Sequence, residues 1–358
     1  MSSRAKRIIL PLGAAITATG MIGAALTSSA TATAKPKPTN VSLASSKAKA
    51  NDTAKFWSAS GGKQFRAATR YTNDSSVKGK VKFGGSDAAP TGKTGTVPPI
   101  GQEKITPTKV KNVNLPKTIG KVFFRVHGKP YWCSASSVQS KYHNLVATAG
   151  HCVYDTDANR ETLDHWVFVP GYYQGKAPWG IYVGKSAYTH YDFSVYEDYD
   201  SDYAFVTVYN GINVRTWKDA GRLGDNVGGQ GFAWNQKIGE PVYAFGYPAG
   251  PHPDGDKPFT GVTPKWCYGK TKPAGVSAAY KAEAQIALKC SMTAGSAGGP
   301  WIAKYSSTKR LGYVNGVTSL IGDSDGNGRY DFSTSAYFDS ETYAVYKSAA
   351  NLWSGSIR

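Results

Sequence analysis

From residue 119 onward the chain is written in short runs rich in Val, Phe, Tyr and Trp, each broken by Gly, Pro or Asn before it reaches helix length. Residues 121–126, 131–138, 145–148, 166–169, 204–209, 242–247 and 311–320 are such runs. β-Branched and aromatic side chains pack well on a pleated surface, and frequent turn residues favour hairpins, so the pattern predicts an antiparallel all-β domain. Only residues 340–352 read as helix, with Ser340 placed to cap it and Tyr343, Val345, Tyr346 and Ala350 as packing residues.

The first 118 residues are of a different kind. Arg4, Lys6 and Arg7 precede an uncharged, mostly apolar run over residues 8–26, and Ala32, Thr33 and Ala34 follow as a small-residue cleavage site. This predicts a signal peptide over residues 1–34 and a secreted, extracellular product; the Gly and Thr within the run argue against a stable membrane anchor. Residues 35–118 are rich in Lys, Ala, Ser, Thr, Gly and Pro, without a sustained hydrophobic period. They are expected to be extended or poorly ordered, a basic low-complexity pro-segment or linker, with a pro-segment removed on maturation preferred over a tail that adsorbs to the cell wall. The formal net charge of +18 invites a nucleic-acid partner, but +15 of it falls in residues 1–118 and only +3 in the remaining 240. No nucleic-acid partner is therefore expected for the β-rich part.

Cys133, Cys152, Cys267 and Cys290 belong to a chain expected to meet oxidising conditions, and four cysteines allow three pairings. No CxxC or HxxxH spacing accompanies them, so no structural zinc site is expected. The most informative string is Thr148-Ala149-Gly150-His151-Cys152, at the end of the run over residues 145–148. A histidine at a strand-to-turn junction, fixed by an adjacent half-cystine, is held rigidly enough to take a proton from a nucleophile and return it to a leaving group.

That string, preceded by CSASSV at residues 133–138, resembles the histidine segment of the chymotrypsin-like serine peptidases. The resemblance runs from about Ile119 to Trp353, within a domain expected over residues 119–358, and implies a chymotrypsin-like double six-stranded β-barrel with a C-terminal helix, preceded by the disordered basic segment. It also implies a Cys133–Cys152 bridge, which leaves Cys267 to pair with Cys290. The general base needs a buried carboxylate to orient it. Among Asp192, Asp198, Asp200 and Asp202, only Asp202 opens an apolar strand, in a string similar to the family's Asp-x-Ala-Leu-Val segment. Asp198 and Asp200 read as a solvated acidic loop.

The family's nucleophile motif is Gly, any residue, Ser, Gly, Gly, Pro. Aligned on Gly298, Gly299 and Pro300, it places Gly295 at the first oxyanion donor and Ala297 at the nucleophile, where serine is expected. Ser296 as an alternative nucleophile requires a one-residue slip that misaligns Ala294, Ala297 and Pro300. The expectation is thus a serine endopeptidase fold whose turnover is absent or strongly impaired. The alternatives are a natural pseudo-peptidase that binds peptides or proteins, and an active peptidase using Ser296.

The strings VFVPG at 167–171 and FGYPA at 245–249 are similar to the bacterial secreted glutamyl-endopeptidase-like branch. Relatives selective for glutamate carry a His where this chain has Thr318, just before Ser319, so that preference is not carried over. Ser291 falls at the base of the family's specificity pocket with Thr318 and Ser319 on its wall, and an uncharged base argues against strong Arg or Lys preference. Ser296 also stands where animal trypsin-like enzymes carry the Asp that pairs with a freed N-terminus, so activation by that ion pair is not expected. No cofactor is required. Asp323, Asp325, Asn327 and Asp331, with Gly328 at the sixth position of the string, match part of a calcium loop, although its twelfth position is Thr334. Expected partners are extended peptide or protein substrates, bound by a monomer.

Overall fold

The structure, a computed structural model, describes residues 38–71, 87–101, 115–154, 163–275 and 280–358, together with the backbone of residues 76–77. Residues 1–34, expected to be a signal peptide with its cleavage site, lie outside the described residues.

Six strands form the first barrel: Ile119–Val126, Lys129–Val138, Leu145–Thr148, Asp164–Pro170, Tyr182–Thr189 and Ala204–Val208. Ile119–Val126 and Lys129–Val138 make a hairpin in register from Ile119 opposite Ser136 to Val126 opposite Lys129. Ala204–Val208 lies antiparallel between Leu145–Thr148 and Tyr182–Thr189, and the pairing of Val167 with Val183 closes the ring. Side chains two residues apart on a strand share a face. Accordingly Val122 and Phe124, Cys133 and Ala135, and Ala204 and Val206 all enter one buried cluster.

The second half consists of two sheets. One runs Lys265–Lys270, Pro241–Gly246, Pro300–Ser306, Leu311–Val317, Gly231–Trp234, and takes a sixth strand, Gly95–Val97, from the amino-terminal segment. The other contains Lys272–Ala274, Gln285–Lys289, Phe332–Ala336 and Ile321–Gly322. Val242, Ala244, Ile286, Leu288, Trp301 and Ala303 form one buried cluster within this half. The expected double-barrel architecture holds, with the C-terminal helix at Ser340–Ala350. Its cap is Asp339 and not Ser340: the Asp339 carboxylate accepts the N–H groups of Glu341 and Thr342 at 2.8 and 3.0 Å, a stronger charge-assisted cap than a hydroxyl.

Disorder does not hold for the described part of residues 35–118. Thr39–Ser42 pairs antiparallel with the end of Tyr182–Thr189. After Ser46, whose hydroxyl accepts the Lys49 N–H at 3.2 Å, the helix Lys47–Ala67 runs with a non-helical break over residues 59–62. Ala50, Ala54 and Trp57 lie on one face and, with Phe65, pack against Phe123, Val167, Val169, Ile181 and Val183 of the first barrel. A stripe made half of alanine is weak as a sequence signal. Its stabilisation comes from the surface it covers, which a local reading cannot see. No helix among the described residues is long and apolar enough to cross a membrane.

Candidate active site

His151 sits in a single 3₁₀ turn, Gly150–Cys152, directly after the strand Leu145–Thr148. Two contacts fix the turn. Cys152 is bonded to Cys133, the implied pairing, and its carbonyl accepts the Trp166 Nε1–H at 3.0 Å. Asp202 follows the 3₁₀ turn Tyr199–Ser201 and precedes Ala204–Val208, whose Ala204 lies opposite Thr148. The register of two neighbouring strands therefore delivers both side chains to one end of the sheet.

Asp202 is wholly buried (0% exposed) and each of its oxygens is used. Oδ1 accepts the His151 backbone N–H at 2.9 Å, and Oδ2 lies 2.8 Å from His151 Nδ1. The Ser319 hydroxyl donates to Oδ2 at 2.5 Å. A buried carboxylate on Nδ1 holds the proton there and leaves Nε2 as the basic nitrogen. His151 Nε2 is buried without a hydrogen-bond partner among the described residues.

The turn leading into Pro300–Ser306 lies against Thr148 and Ala149, just before His151, and is pinned by Ser134. The Ser134 N–H donates to the Ala297 carbonyl at 2.8 Å, and its hydroxyl donates to the Gly295 carbonyl at 2.8 Å while accepting the Tyr247 N–H at 2.8 Å. Gly298 has φ +77°, and a Cβ there would lie 2.1 Å from Thr148 Oγ1 and 2.3 Å from the Ser134 carbonyl oxygen. Gly295 has φ +102°, and its Cβ would lie 2.6 Å from the Tyr247 carbonyl oxygen. These close approaches are the physical content of the glycine motif. Among the described residues, the N–H groups of Gly295 and Ala297 donate to no backbone carbonyl, which leaves them available to an oxyanion.

Ala297 is buried in the cluster that contains Ala149, which precedes the 3₁₀ turn of His151, and Cys152, which ends it. Ser296 is also wholly buried, but its hydroxyl donates to the Thr293 carbonyl at 2.8 Å, and a Cβ on Gly246 would stand 3.0 Å from its own Cβ. The structure thus brings His151, Asp202, Gly295 and Ala297 together and commits the Ser296 hydroxyl elsewhere.

The side chains of Ser291, Thr318 and Ser319 have separate surroundings. Ser291 is exposed, Thr318 Oγ1 accepts the Trp301 Nε1–H at 3.0 Å, and Ser319 serves Asp202. Successive residues of extended chain point to opposite sides, which separates Thr318 from Ser319. Nor are Asp198 and Asp200 simply solvated. Asp198 caps the turn by accepting the Asp200 N–H at 2.9 Å, and the Asp200 carboxylate accepts the N–H groups of Glu283 and Ala284 at 3.1 and 2.9 Å. Burial, with Asp198 and Glu283 nearby, pushes the Asp200 carboxyl up to about 7 against the pull of those N–H groups.

In the 323–331 loop the carboxylates serve the backbone. Asp323 accepts the N–H groups of Gly326 and Gly328 at 2.8 Å each, Asp325 accepts that of Asn327 at 3.1 Å, and Asp331 that of Ser324 at 2.8 Å. The one close group of His, Cys, Asp or Glu ligand atoms among the described residues is Cys133, His151 and Cys152, and the two cysteine sulfurs are already bonded to each other. The second disulfide, Cys267–Cys290, also pairs as implied.

Three features of the site were not singled out from sequence: Ser134 as the pin of the turn, Ser319 as a partner of Asp202, and Tyr71, whose ring lies nearly parallel to that of His151 with centroids 6.4 Å apart. For Ser134 the only signal was a polar residue beside a half-cystine in an otherwise inward strand.

The profile of the trypsin-like peptidase domain matches residues 133–307. The protease Anisep of Arthrobacter nicotinovorans is 30% identical, with a TM-score of 0.55 over 67% of this chain and 97% of that one. A thermostable serine protease, AL20, from an extremophilic microorganism is 27% identical, with a TM-score of 0.54 over 65% of this chain and 97% of that one. A Glu endopeptidase is 18% identical at a TM-score of 0.46, which does not place the chain in that branch. No curated protein sequence matches. The extent and identity of the Anisep match, together with the trypsin-like domain profile, show that the chain belongs to the trypsin-like serine peptidase family.

Proposed function

We propose that this is an exported peptidase-fold protein whose cleft binds extended peptides, with the machinery for amide hydrolysis in place except for the nucleophile. His151 is the general base, Asp202 its orienting partner, and the N–H groups of Gly295 and Ala297 the oxyanion donors. With serine at position 297, Oγ would attack the scissile carbonyl carbon while its proton passes to His151 Nε2. The leaving amine would take that proton, and water would hydrolyse the acyl-enzyme by the same route. A methyl group cannot form that bond. What remains is oxyanion stabilisation and binding, worth roughly 10³ to 10⁴-fold over water in triad enzymes.

The observation that carries this reading is the buried, unpartnered His151 Nε2, together with the commitment of the Ser296 hydroxyl to Thr293. The two disulfides fit an oxidising compartment and support export. With Ser291 exposed and Thr318 bonded to Trp301, neither a basic nor a glutamate side chain has a charged partner from these positions.

The test is Ala297→Ser in the full chain, alone and combined with Tyr71→Ala, which removes the ring beside His151. Labelling of residue 297 by a fluorophosphonate and hydrolysis of casein are expected only when serine is present there. Labelling of Ser296 in the unaltered protein, or no labelling of either variant while both remain folded, would overturn the reading.

A further inference from the structure

The amino-terminal segment also reaches the candidate site. Just beyond the helix Lys47–Ala67, Thr69 and Arg70 pair in parallel with Tyr131 and Trp132, and the Tyr71 N–H donates to the Trp132 carbonyl at 2.9 Å. The strand they join runs on into Cys133, which fixes the His151 turn, and Ser134, which pins the turn at 297. Arg70 crosses the oxyanion turn: a Cβ on Gly295 would lie 3.5 Å from Arg70 Cβ, and one on Gly250 would lie 3.1 Å from Arg70 Nε. Tyr71 is only 3% exposed. Its ring meets Phe124 and Tyr131 edge-on, with centroids 5.2 and 5.7 Å away, and stands nearly parallel to His151. It shares a buried cluster with Ala297 and the Cys133–Cys152 pair.

Main-chain pairing to a strand plus a side chain in a pocket is how folded domains hold extended peptides. Here the strand is the one that organises the candidate site, and the pocket abuts the base. The anchors are independent of the cleft: Thr39–Ser42 is paired into the barrel, and Trp57 and Phe65 are buried on it. A short tether of this kind presents its end at an effective concentration on the order of millimolar, enough to exclude free peptides of weaker affinity.

We propose that residues 69–71 are a built-in occupant of the peptide cleft, and that the pocket filled by Tyr71 is an aromatic-accepting subsite through which the cleft selects its peptides. The proposal rests on the cleft being a peptide-binding one, as argued above. It does not require the cleft to cleave.

The test is read in the unaltered Ala297 background, so that it is separate from the recovery of activity. Diethyl pyrocarbonate acylates an accessible histidine nitrogen, and mass spectrometry locates the adduct at His151. Protection in the parent, and modification at least about tenfold faster in Tyr71→Ala, is expected if the ring occludes the site. N-acetyltyrosinamide should restore protection to the Tyr71→Ala protein while N-acetylalaninamide should not. Equal modification of parent and variant would overturn the occupancy, and equal protection by the two amides would overturn the aromatic subsite. Should Tyr71→Ala not fold, Tyr71→Leu keeps most of the buried volume and gives the same comparison. Failure of Ala297→Ser/Tyr71→Ala to label, with His151 protection behaving as expected, would sink the peptidase reading and leave the occupancy standing.

Discussion

On the base side of the cleft, Asp202 receives three hydrogen bonds, from the His151 backbone, the His151 ring and the Ser319 hydroxyl, and is wholly buried. On the proposed nucleophile side, the turn from Gly295 to Gly299 keeps its backbone bonds to Ser134, Thr318 and Ser296 and its two left-handed glycines, yet carries a methyl group where the proposed reading needs a hydroxyl. The two sides thus differ in chemistry and not in organisation. Burying a carboxylate costs several kcal/mol unless its partners offset it, so the base side is a feature maintained against a penalty. On the proposed reading, the difference between the two sides comes down to the side chain at position 297.

That localisation makes Ala297→Ser the largest expected effect. Loss of the serine from an intact triad costs on the order of 10⁶ in kcat, so the substitution should raise casein hydrolysis by a comparable factor once the cleft is open. Adding His151→Ala should erase the gain, whereas His151→Ala in the unaltered protein should leave its trace activity unchanged. A gain of less than about a hundredfold, with folding intact, would mean that the two sides are not in working register.

Organisation of the nucleophile side can be broken without touching the chemistry. Gly298→Ala places a Cβ 2.1 Å from Thr148 Oγ1 and 2.3 Å from the Ser134 carbonyl, in a left-handed backbone that alanine resists. A loss of about 3 kcal/mol in unfolding free energy is expected, read by denaturant titration. A neutral result would show that the turn does not press against the first barrel.

The same contrast explains what could be read in the sequence. His151 and Asp202 were legible because each lies at a strand end in a short, locally constrained string, TAGHC and DYAFV. Ala297 was read from the glycines around it, which favour its register over the one-residue slip to Ser296. The bond from Ser319 to Asp202 was not legible because the direction of its hydroxyl depends on the path of residues 318–319 relative to Trp301 and Asp202, a matter of tertiary register. The helix Lys47–Ala67 was missed for a related reason. Ala50, Ala54 and Trp57 recur at helical spacing, but Ser, Lys and Gly dilute them, and the barrel face that makes them a core comes from residues more than fifty positions later.

Within the base side, Ser319→Ala should have a moderate effect. It removes one donor to a buried charge, worth about 2 kcal/mol, so in the Ala297→Ser protein kcat should fall roughly thirtyfold with little change in KM. A matching rise in KM instead would place Ser319 on the substrate, as the sequence pattern had suggested, and would weaken its assignment to Asp202.

The smallest effect concerns how the base side is braced. Asp200 lies in the turn that precedes Asp202, and its carboxylate ties that turn to the N–H groups of Glu283 and Ala284. Its folded-state value is pushed up to about 7 by burial, whereas the unfolded chain titrates near the ordinary carboxylate value of about 4. Between those two values the folded protein binds a proton that the unfolded chain has released. This group therefore contributes its stabilisation in full below about pH 4 and loses it as the pH rises through about 7. Because the side chain is partly exposed, about 1 kcal/mol across that window is expected. Asp200→Asn should flatten this component of the pH profile of thermal stability while leaving the His151–Asp202 geometry intact. An unchanged slope between pH 4 and 7 would assign the pH dependence to other groups and detach Asp200 from the bracing of the base.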